Sequence, residues 1–540
     1  MEYIYFMTSQ DGIVELLGEK IREISISEFF EKNRHLLGYE NPTKSLLTVV
    51  KELVDNSIDA CIEAGILPEV KVLVKNVKEN IFRVKVEDNG PGLPPEKIPI
   101  AFGKFLVGSK FYRLRQSIGT QGIGAKGAIL YSQLTTAKPT KIYTFYRGKK
   151  YEFDLMIDVL KNEPQIVSEN ILDSVGNRSG LGVELFVEGR YIEKGQSIPT
   201  YLKYISVANP YVKIIYDGPN EKCVFNRAVN SLPKKPIEIK PHPYGVEIGR
   251  LKRMLSLTET KSLSKFLTTE FSRIGVDTAN KICKLAKLKP SQSPRELNND
   301  EIERLWKSMQ MVKIRAPPTD CLSPLNKEEL IKGMQKEFPN AEFYDAILRP
   351  PKVYRGNPFQ VEVAIAYGGE IANIVNESCL LLRFANHTPL LYNQSDCAIT
   401  RAVEEVDWRN YKLSQPQKGL PQAPLIILVD LISVWIPYKS EGKQAIAEYP
   451  EIIKEIKLGL QEVGRKLGLY LSKKFRLQAL RARKNIFDAY STIFSEYLSN
   501  LTEKSKEDIL NKIRNLISKG IYKDIDEKEE KKEVTHEIEI

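Results

Sequence analysis

The stretch VKELVDNSIDACIE, residues 50–63, sets chemistry-bearing side chains opposite an apolar stripe. Val50, Leu53, Val54, Ser57, Ile58, Cys61 and Ile62 keep the i, i+3, i+4, i+7 spacing of a core-facing helix, and Glu52, Asn56, Asp59 and Glu63 fall on the other side. Such a face is either ordinary solvated charge or a site, and the helix alone does not choose. In VEDNGPGL, residues 86–93, a strand ends in Asp88 and is followed by Gly90 and Gly92. An acid fixed at a strand end can accept a hydrogen bond from an exocyclic amine, and the glycines let backbone pass close to a flat ring. The plain alternative is a turn.

GKFLVGSK (103–110) and SIGTQGIGAKG (117–127) make a glycine-rich region whose backbone N–H groups can cradle phosphates ahead of a helix N-terminus. Its candidate contacts are Gly108, Ser109, Lys110, Gly119, Thr120, Gln121, Gly122, Ile123, Gly124, Ala125 and Lys126. Gly122, Gly124 and Gly127 spell G-x-G-x-x-G, but the preceding FYRLRQSI is a poor buried strand and no acid ends the next strand. A Rossmann dinucleotide site is therefore not expected, and no Walker-type P-loop occurs there.

The elements that must position these groups follow from the pattern around them. A helix over 42–64, strands VKVLVK and FRVKVED, the glycine-rich region, and strands KIYTFYRG, KYEFDLMI and GVELFVEG predict an α+β layer arrangement to about residue 230. The four prolines of SLPKKPIEIKPHPYG mark a linker. A basic, mainly helical segment follows, with ten basic and three acidic residues between Arg250 and Pro290, and then a second α/β region runs to the apolar strand PLIILVDLISVWIP. Beyond Pro450 no proline occurs, and Ile453, Ile456, Leu460, Val463, Leu467 and Leu471 keep helical spacing. Continued to Ser499, that helix is on the order of 75 Å long, which suits a lever or stalk.

At 540 residues the chain exceeds a single core. Its 42% hydrophobic and 28% charged residues describe a folded protein, and the absence of a long apolar run or of a signal-peptide pattern predicts a cytoplasmic protein with no membrane partner. The six cysteines are scattered without a C-x-x-C pair, so free buried thiols are expected rather than zinc or disulfides. The formal net charge of +11 fits a polyanionic partner, and the segment from Lys519 is mixed-charge and low in complexity.

Taken in order, ELVDNSIDA, DNGPG and GTQGIGAKG resemble the three ATP-binding boxes of the gyrase, chaperone, histidine-kinase and MutL (GHKL) superfamily. The resemblance implies that Glu52 is the general base that activates water, that Asn56 ligates Mg²⁺ bridging the three phosphates of ATP, and that Asp88 binds the adenine amino group. Glu52 and Asn56 are i, i+4 and project together, which agrees with that division of labour. GTQGIGAKG, the insert with SRIGVDTANKICKLAKL, and SEGKQAIA at 440–447 are together similar to the B subunits of the topoisomerase VI family, type IIB DNA topoisomerases.

That resemblance reaches to about residue 500. It implies a Bergerat-fold ATPase sandwich (1–230, with an N-terminal strap), a small helix-two-turns-helix domain (231–312), an α/β transducer with a long helical stalk (313–500), and a charged tail (501–540) that is partner-contacting or disordered. It further implies that Lys443 reaches the γ-phosphate from the loop after the apolar strand, with Lys439 as its rival, and that Lys261, Lys265, Arg273, Lys281, Lys284 and Lys287 contact DNA phosphates. The competing reading of those cations is a solvated face on a structural insert. Related ATPases carry a Gly-Thr pair where this chain has GLGVELF (180–186), so no ligand is assigned there.

DNA cleavage of this kind needs a tyrosine nucleophile and a D-x-D acid cluster, and the only D-x-D, Asp524 and Asp526, sits in the tail. The expected partners are accordingly a DNA-cutting A subunit in an A2B2 heterotetramer, a second copy of the chain on ATP binding, and double-stranded DNA. The alternatives are a MutL-like ATP switch that recruits repair proteins, and a DNA-binding scaffold with a degenerate pocket. An intact Glu52 argues against the scaffold.

Overall fold

The computed structural model describes residues 24–517 apart from 109–113, 120–121, 174–175, 177, 376–377, 418 and 441. Two compact units make up the chain: residues 1–406 with 423–460, and 407–422 with 461–540.

Among the described residues the first unit begins with α1 (Ile26–Lys32) and α2 (Pro42–Ala64). Asn41 caps α2 by accepting from Lys44 N at 2.9 Å, proline takes the first helical position, and Gly65 ends the helix at φ 73°. The expected stripe is real: Val50, Leu53, Val54, Ser57, Ile58 and Cys61 are buried. It packs on a sheet built from β1 (Glu69–Lys78), β2 (Ile81–Asp88), β3 (Thr140–Tyr146), β4 (Lys149–Asp158), β5 (Glu163–Leu172), β6 (Leu181–Glu188), β7 (Lys213–Asp217) and β8 (Lys222–Phe225), with α3 (Ile98–Gly103), α4 (Gly124–Thr136) and α5 (Ile198–Ala208) between strands. The strand order is β5-β4-β3-β6-β2-β1-β7-β8, antiparallel except for β1 beside β7. Phe82, Val84, Val86 and Asp88 share the buried phase of β2, so the strand's alternation turns a carboxylate toward the helical layer. Strand β5 is not predicted by the sequence pattern. It lies at the sheet edge with exposed residues on both faces and so has no alternation to read.

Helices α6 (Ile248–Leu257), α7 (Leu263–Glu270), α8 (Val276–Ala286) and α9 (Asn299–Met311) enclose a core of their own that includes Leu251, Phe266, Ile282 and Leu305. A reciprocal capping box at Asn298 and Glu301 starts α9.

After α10 (Lys327–Glu337) comes a six-stranded sheet of β9 (Phe343–Leu348), β10 (Lys352–Tyr354), β11 (Asn357–Tyr367), β12 (Leu380–Ala385), β13 (Thr388–Pro389) and β14 (Leu425–Ser433), with α11 (Ile371–Ile374) and α12 (Ala398–Glu404). Every residue of β14 is buried, as its unbroken apolar run requires of a central strand, and it pairs with β11 and β12. Asn386 and His387, both at positive φ, make the tight turn from β12 to β13.

The last helices are α13 (Pro450–Thr502) and α14 (Lys506–Ile517). In the second unit, Gly464 and Gly468 lie against Tyr411, where an added Cβ would approach within 2.6 Å and 3.2 Å. The segment expected as a tail from 501 therefore begins with helix, while Asp524 and Asp526 lie outside the described residues. Five of the six free cysteines are buried and the sixth, Cys223, is partly so. No described helix is long and apolar enough to cross a membrane.

Candidate active site

Helix α2 and the N-terminus of α4 meet edge to edge, and Glu52 lies at the meeting point. A Cβ added to Gly124, the first residue of α4, would sit 1.7 Å from Glu52 Oε2. Only glycine leaves room for the carboxylate there. Asn56 turns its Nδ2 back onto the Glu52 carbonyl oxygen at 2.8 Å, which leaves Oδ1, a hard oxygen donor suited to Mg²⁺, directed away from the helix backbone.

Asp88 is 7% exposed, and its Oδ1 accepts from Gly90 N at 2.9 Å and Leu181 N at 3.2 Å. Burial pushes its carboxyl up to about 6, against the lowering effect of those bonds and of Ser57. It therefore remains largely ionised, and an acceptor, at neutral pH. Gly92 adopts φ 70°, and a Cβ there would lie 2.7 Å from Thr144 Oγ1. Thr144 Oγ1 in turn holds both Leu93 N and Leu93 O.

The glycine-rich loop is pinned from below. Asp59 accepts from Ile118 N and Gly119 N, each at 2.9 Å, so it is not part of an outward polar face as its helical phase suggested. Its carboxylate is drawn inward because two backbone amides there need an acceptor. Lys126 is buried and its ammonium donates to the carbonyls of Val107 and Gly122, while burial lowers it to about 8. Gly122 adopts φ 60°, and Ile123 and Ala125 flank Gly124 at the helix start, with Gly108 exposed at the end of the preceding segment. Ser109, Lys110, Thr120 and Gln121 lie outside the described residues.

The second sheet contributes the remaining wall. Lys443, 9% exposed and at φ 51°, lines a cleft together with Glu52, Gly124, Lys44, Lys51, Tyr39 and Tyr392. Lys44, Lys51 and Lys443 share this lining with Glu52, Lys44 being paired with Glu40 and Lys51 with Glu52 and Asp55. Lys439 instead pairs with Asp396 at 2.6 Å and Glu448 at 3.3 Å on the surface. Asn386 bridges the glycine-rich loop and the end of β14: its Nδ2 donates to Ser117 O at 3.2 Å and Ser433 O at 3.0 Å, next to the residues Asp59 holds.

Lys51, Asp55, Asp59, Asn386 and the Leu181 amide were missed from sequence. The one available signal was that Lys51, Asp55 and Asp59 form a single i, i+4 row beside the apolar stripe. Lys261, Lys265, Arg273, Lys281, Lys284 and Lys287 are all exposed on the helical module, far from any role in this cleft, and Arg273 Nε also donates to Ala316 O at 3.1 Å.

The geometry gives a direct expectation. A Gly124→Ala variant folds, because the colliding atom is the end of a flexible side chain, yet it displaces Glu52 and loses turnover by about 10²-fold. Thermal unfolding and ATPase rate measured on one preparation check this: normal turnover in a folded variant means that the position of Oε2 does not matter.

Two family models match the chain: a histidine kinase-, DNA gyrase B- and HSP90-like ATPase over residues 44–179, and the topoisomerase VI B subunit transducer over residues 317–483. The B subunit of type 2 DNA topoisomerase 6 from Archaeoglobus fulgidus is 44% identical over 496 residues, covering 91% of this chain and 81% of the relative. That of Methanosarcina acetivorans is 42% identical over 501 residues, covering 92% and 80%. The Saccharolobus islandicus protein of the same name is 38% identical over 517 residues, covering 94% and 96%. With nucleotide boxes, transducer and nearly the whole length accounted for, the chain belongs to the family of type 2 DNA topoisomerase 6 B subunits.

Proposed function

We propose that this chain is the ATP-hydrolysing B subunit of a type IIB DNA topoisomerase in the cytoplasm. In this reading two copies dimerise on binding ATP and capture a DNA duplex, and hydrolysis drives its passage through a break made by a partner A subunit in an A2B2 assembly. Supercoils relax and linked duplexes separate as a result. The observation that carries the reading is that Glu52, on the helix packed against the first sheet, and Lys443, on the loop after β14 of the second, line one cleft. A base and a cation so arranged couple nucleotide chemistry to domain arrangement.

Within that scheme Glu52 orients the attacking water, and Lys443 neutralises charge on the γ-phosphate. Asp88 accepts the adenine amine between Gly90 and Gly92, and the glycine-rich backbone that opens α4 at Gly122, Ile123 and Gly124 cradles the phosphates. Asn56 Oδ1 would hold Mg²⁺, which when bound neutralises charge across the phosphate oxygens. The ATPase (1–230), helix-two-turns-helix (231–312), transducer and stalk (313–500) and C-terminal (501–540) divisions follow the same scheme. A repair switch of the MutL kind is disfavoured, since the close relatives carry the topoisomerase name over most of their length.

Mixed with its partner subunit, the protein relaxes supercoiled DNA only with ATP and Mg²⁺, and equal relaxation without nucleotide ends the gate reading. Charge removal at Lys261, Lys265, Arg273, Lys281, Lys284 and Lys287 flattens the salt dependence of DNA binding by roughly 0.9 log units for each phosphate no longer neutralised. An unchanged slope assigns the helical module a structural role.

A further inference from the structure

Lys51 is adjacent to Glu52 on α2, and neighbours on a helix ordinarily diverge. Here Lys51 Nζ nonetheless lies 3.3 Å from Glu52 Oε1, while also lying 3.2 Å from Asp55 Oδ2. The ammonium is held in that bent position from beneath. Asp55 is buried, and its Oδ1 accepts from the hydroxyl of Tyr201 at 2.5 Å. Tyr201, on α5, is fully buried and also reaches Lys51 O at 3.5 Å. A chain of contacts thus runs from α5 through Asp55 and Lys51 to one oxygen of Glu52, and the other oxygen, Oε2, faces Gly124 at the start of α4.

We infer that Lys51 is a positioning residue for ATP hydrolysis, its ammonium fixing Glu52 Oε1 so that Oε2 is presented to the attacking water. The inference rests on Glu52 acting as the base. In the step it serves, the water oxygen forms a new bond to the γ-phosphorus and the bond from that phosphorus to the bridging oxygen breaks, its electron pair leaving on ADP. The water proton passes to Oε2 and then to the released phosphate. Phosphoryl transfer depends mainly on placement, so a fixed carboxylate serves better than a mobile one. The groups facing this carboxylate are Lys51 and Asp55 on α2, Tyr39 ahead of it, Tyr201 on α5, and Tyr438 and Lys443 after β14. Of the cations that line the cleft, Lys51 has its ammonium 3.3 Å from Glu52 Oε1.

The test compares Lys51→Met, Lys51→Arg and the double variant Lys51→Met/Asp55→Asn with wild type, in the full chain with its partner subunit. The double variant removes the buried charge that Lys51→Met strands and so separates folding from positioning. Expected in both methionine variants is a fall in kcat of about 10- to 100-fold with KM for ATP nearly unchanged. Lys51→Arg restores most of the rate. Wild-type kcat in the double variant overturns the inference, as does a raised KM at unchanged kcat, which assigns Lys51 to direct phosphate binding. Glu52→Ala measured alongside separates the two levels: if it turns over normally the base reading fails, and if it is inactive while the double variant is normal, only the role of Lys51 fails.

Discussion

Replacing Glu52 with alanine lowers ATP turnover by about 10²- to 10⁴-fold while nucleotide binding persists, the range expected for loss of a general base. The two halves of that expectation come from different parts of the site. Asp88 holds its place through Gly90 N and Leu181 N, and the glycine-rich loop is fixed by Asp59, so neither depends on the Glu52 side chain. Removing the carboxylate also frees space over Gly124 and creates no clash. Equilibrium binding of ATP together with single-turnover hydrolysis checks both halves. Near-normal turnover assigns the base elsewhere, and lost binding means that the carboxylate organises the pocket.

A comparable loss of turnover is expected for Lys443→Ala, by about 10²- to 10³-fold, the range seen when one preorganised group is removed from developing charge. The backbone around Lys443 explains why the side chain reaches the cleft at all. Lys443 N donates to Ser440 O at 3.1 Å in a turn that leaves Lys443 at φ 51°, Lys439 N donates to Ala445 O across the loop, and Ala398 N at the start of α12 donates to Ile446 O. The ammonium therefore arrives as part of the transducer. The variant still binds ATP through the first domain but fails to couple it to domain closure. ATPase rate, paired with a distance probe between β8 and the first turn of α13, distinguishes the outcomes. Wild-type turnover with normal closure excludes Lys443 and makes Lys439 the next candidate, despite its ion pairs with Asp396 and Glu448.

Much of this site was legible before any fold was known, because its groups obey local periodicities. Helical spacing placed Glu52 beside Asn56 and the apolar stripe beneath them, and the same spacing held when α2 was laid on the sheet. The two-residue period of FRVKVED put Asp88 in phase with Phe82, Val84 and Val86, so its burial is a property of the strand itself. The unbroken apolar run of β14 required a central strand for the same kind of reason.

What periodicity does not carry is which polar group satisfies which partner across the fold. Asp59 has the phase of a surface residue, yet it is buried because the amides of Ile118 and Gly119, brought beside it by the loop, require an acceptor away from water. Lys126 reads as a phosphate ligand, but it is turned onto two loop carbonyls. Lys51, beside the apolar stripe, carries no periodic signal of the ion pairs through which Asp55, itself held by Tyr201, places its ammonium. The amino-acid order thus determined the helix, the strand phases and the glycine positions, since backbone geometry repeats every few residues. Only the tertiary structure decided how Lys443 and Glu52 share a cleft and which charges meet, because those pairings depend on desolvation and on distances between segments far apart in the chain.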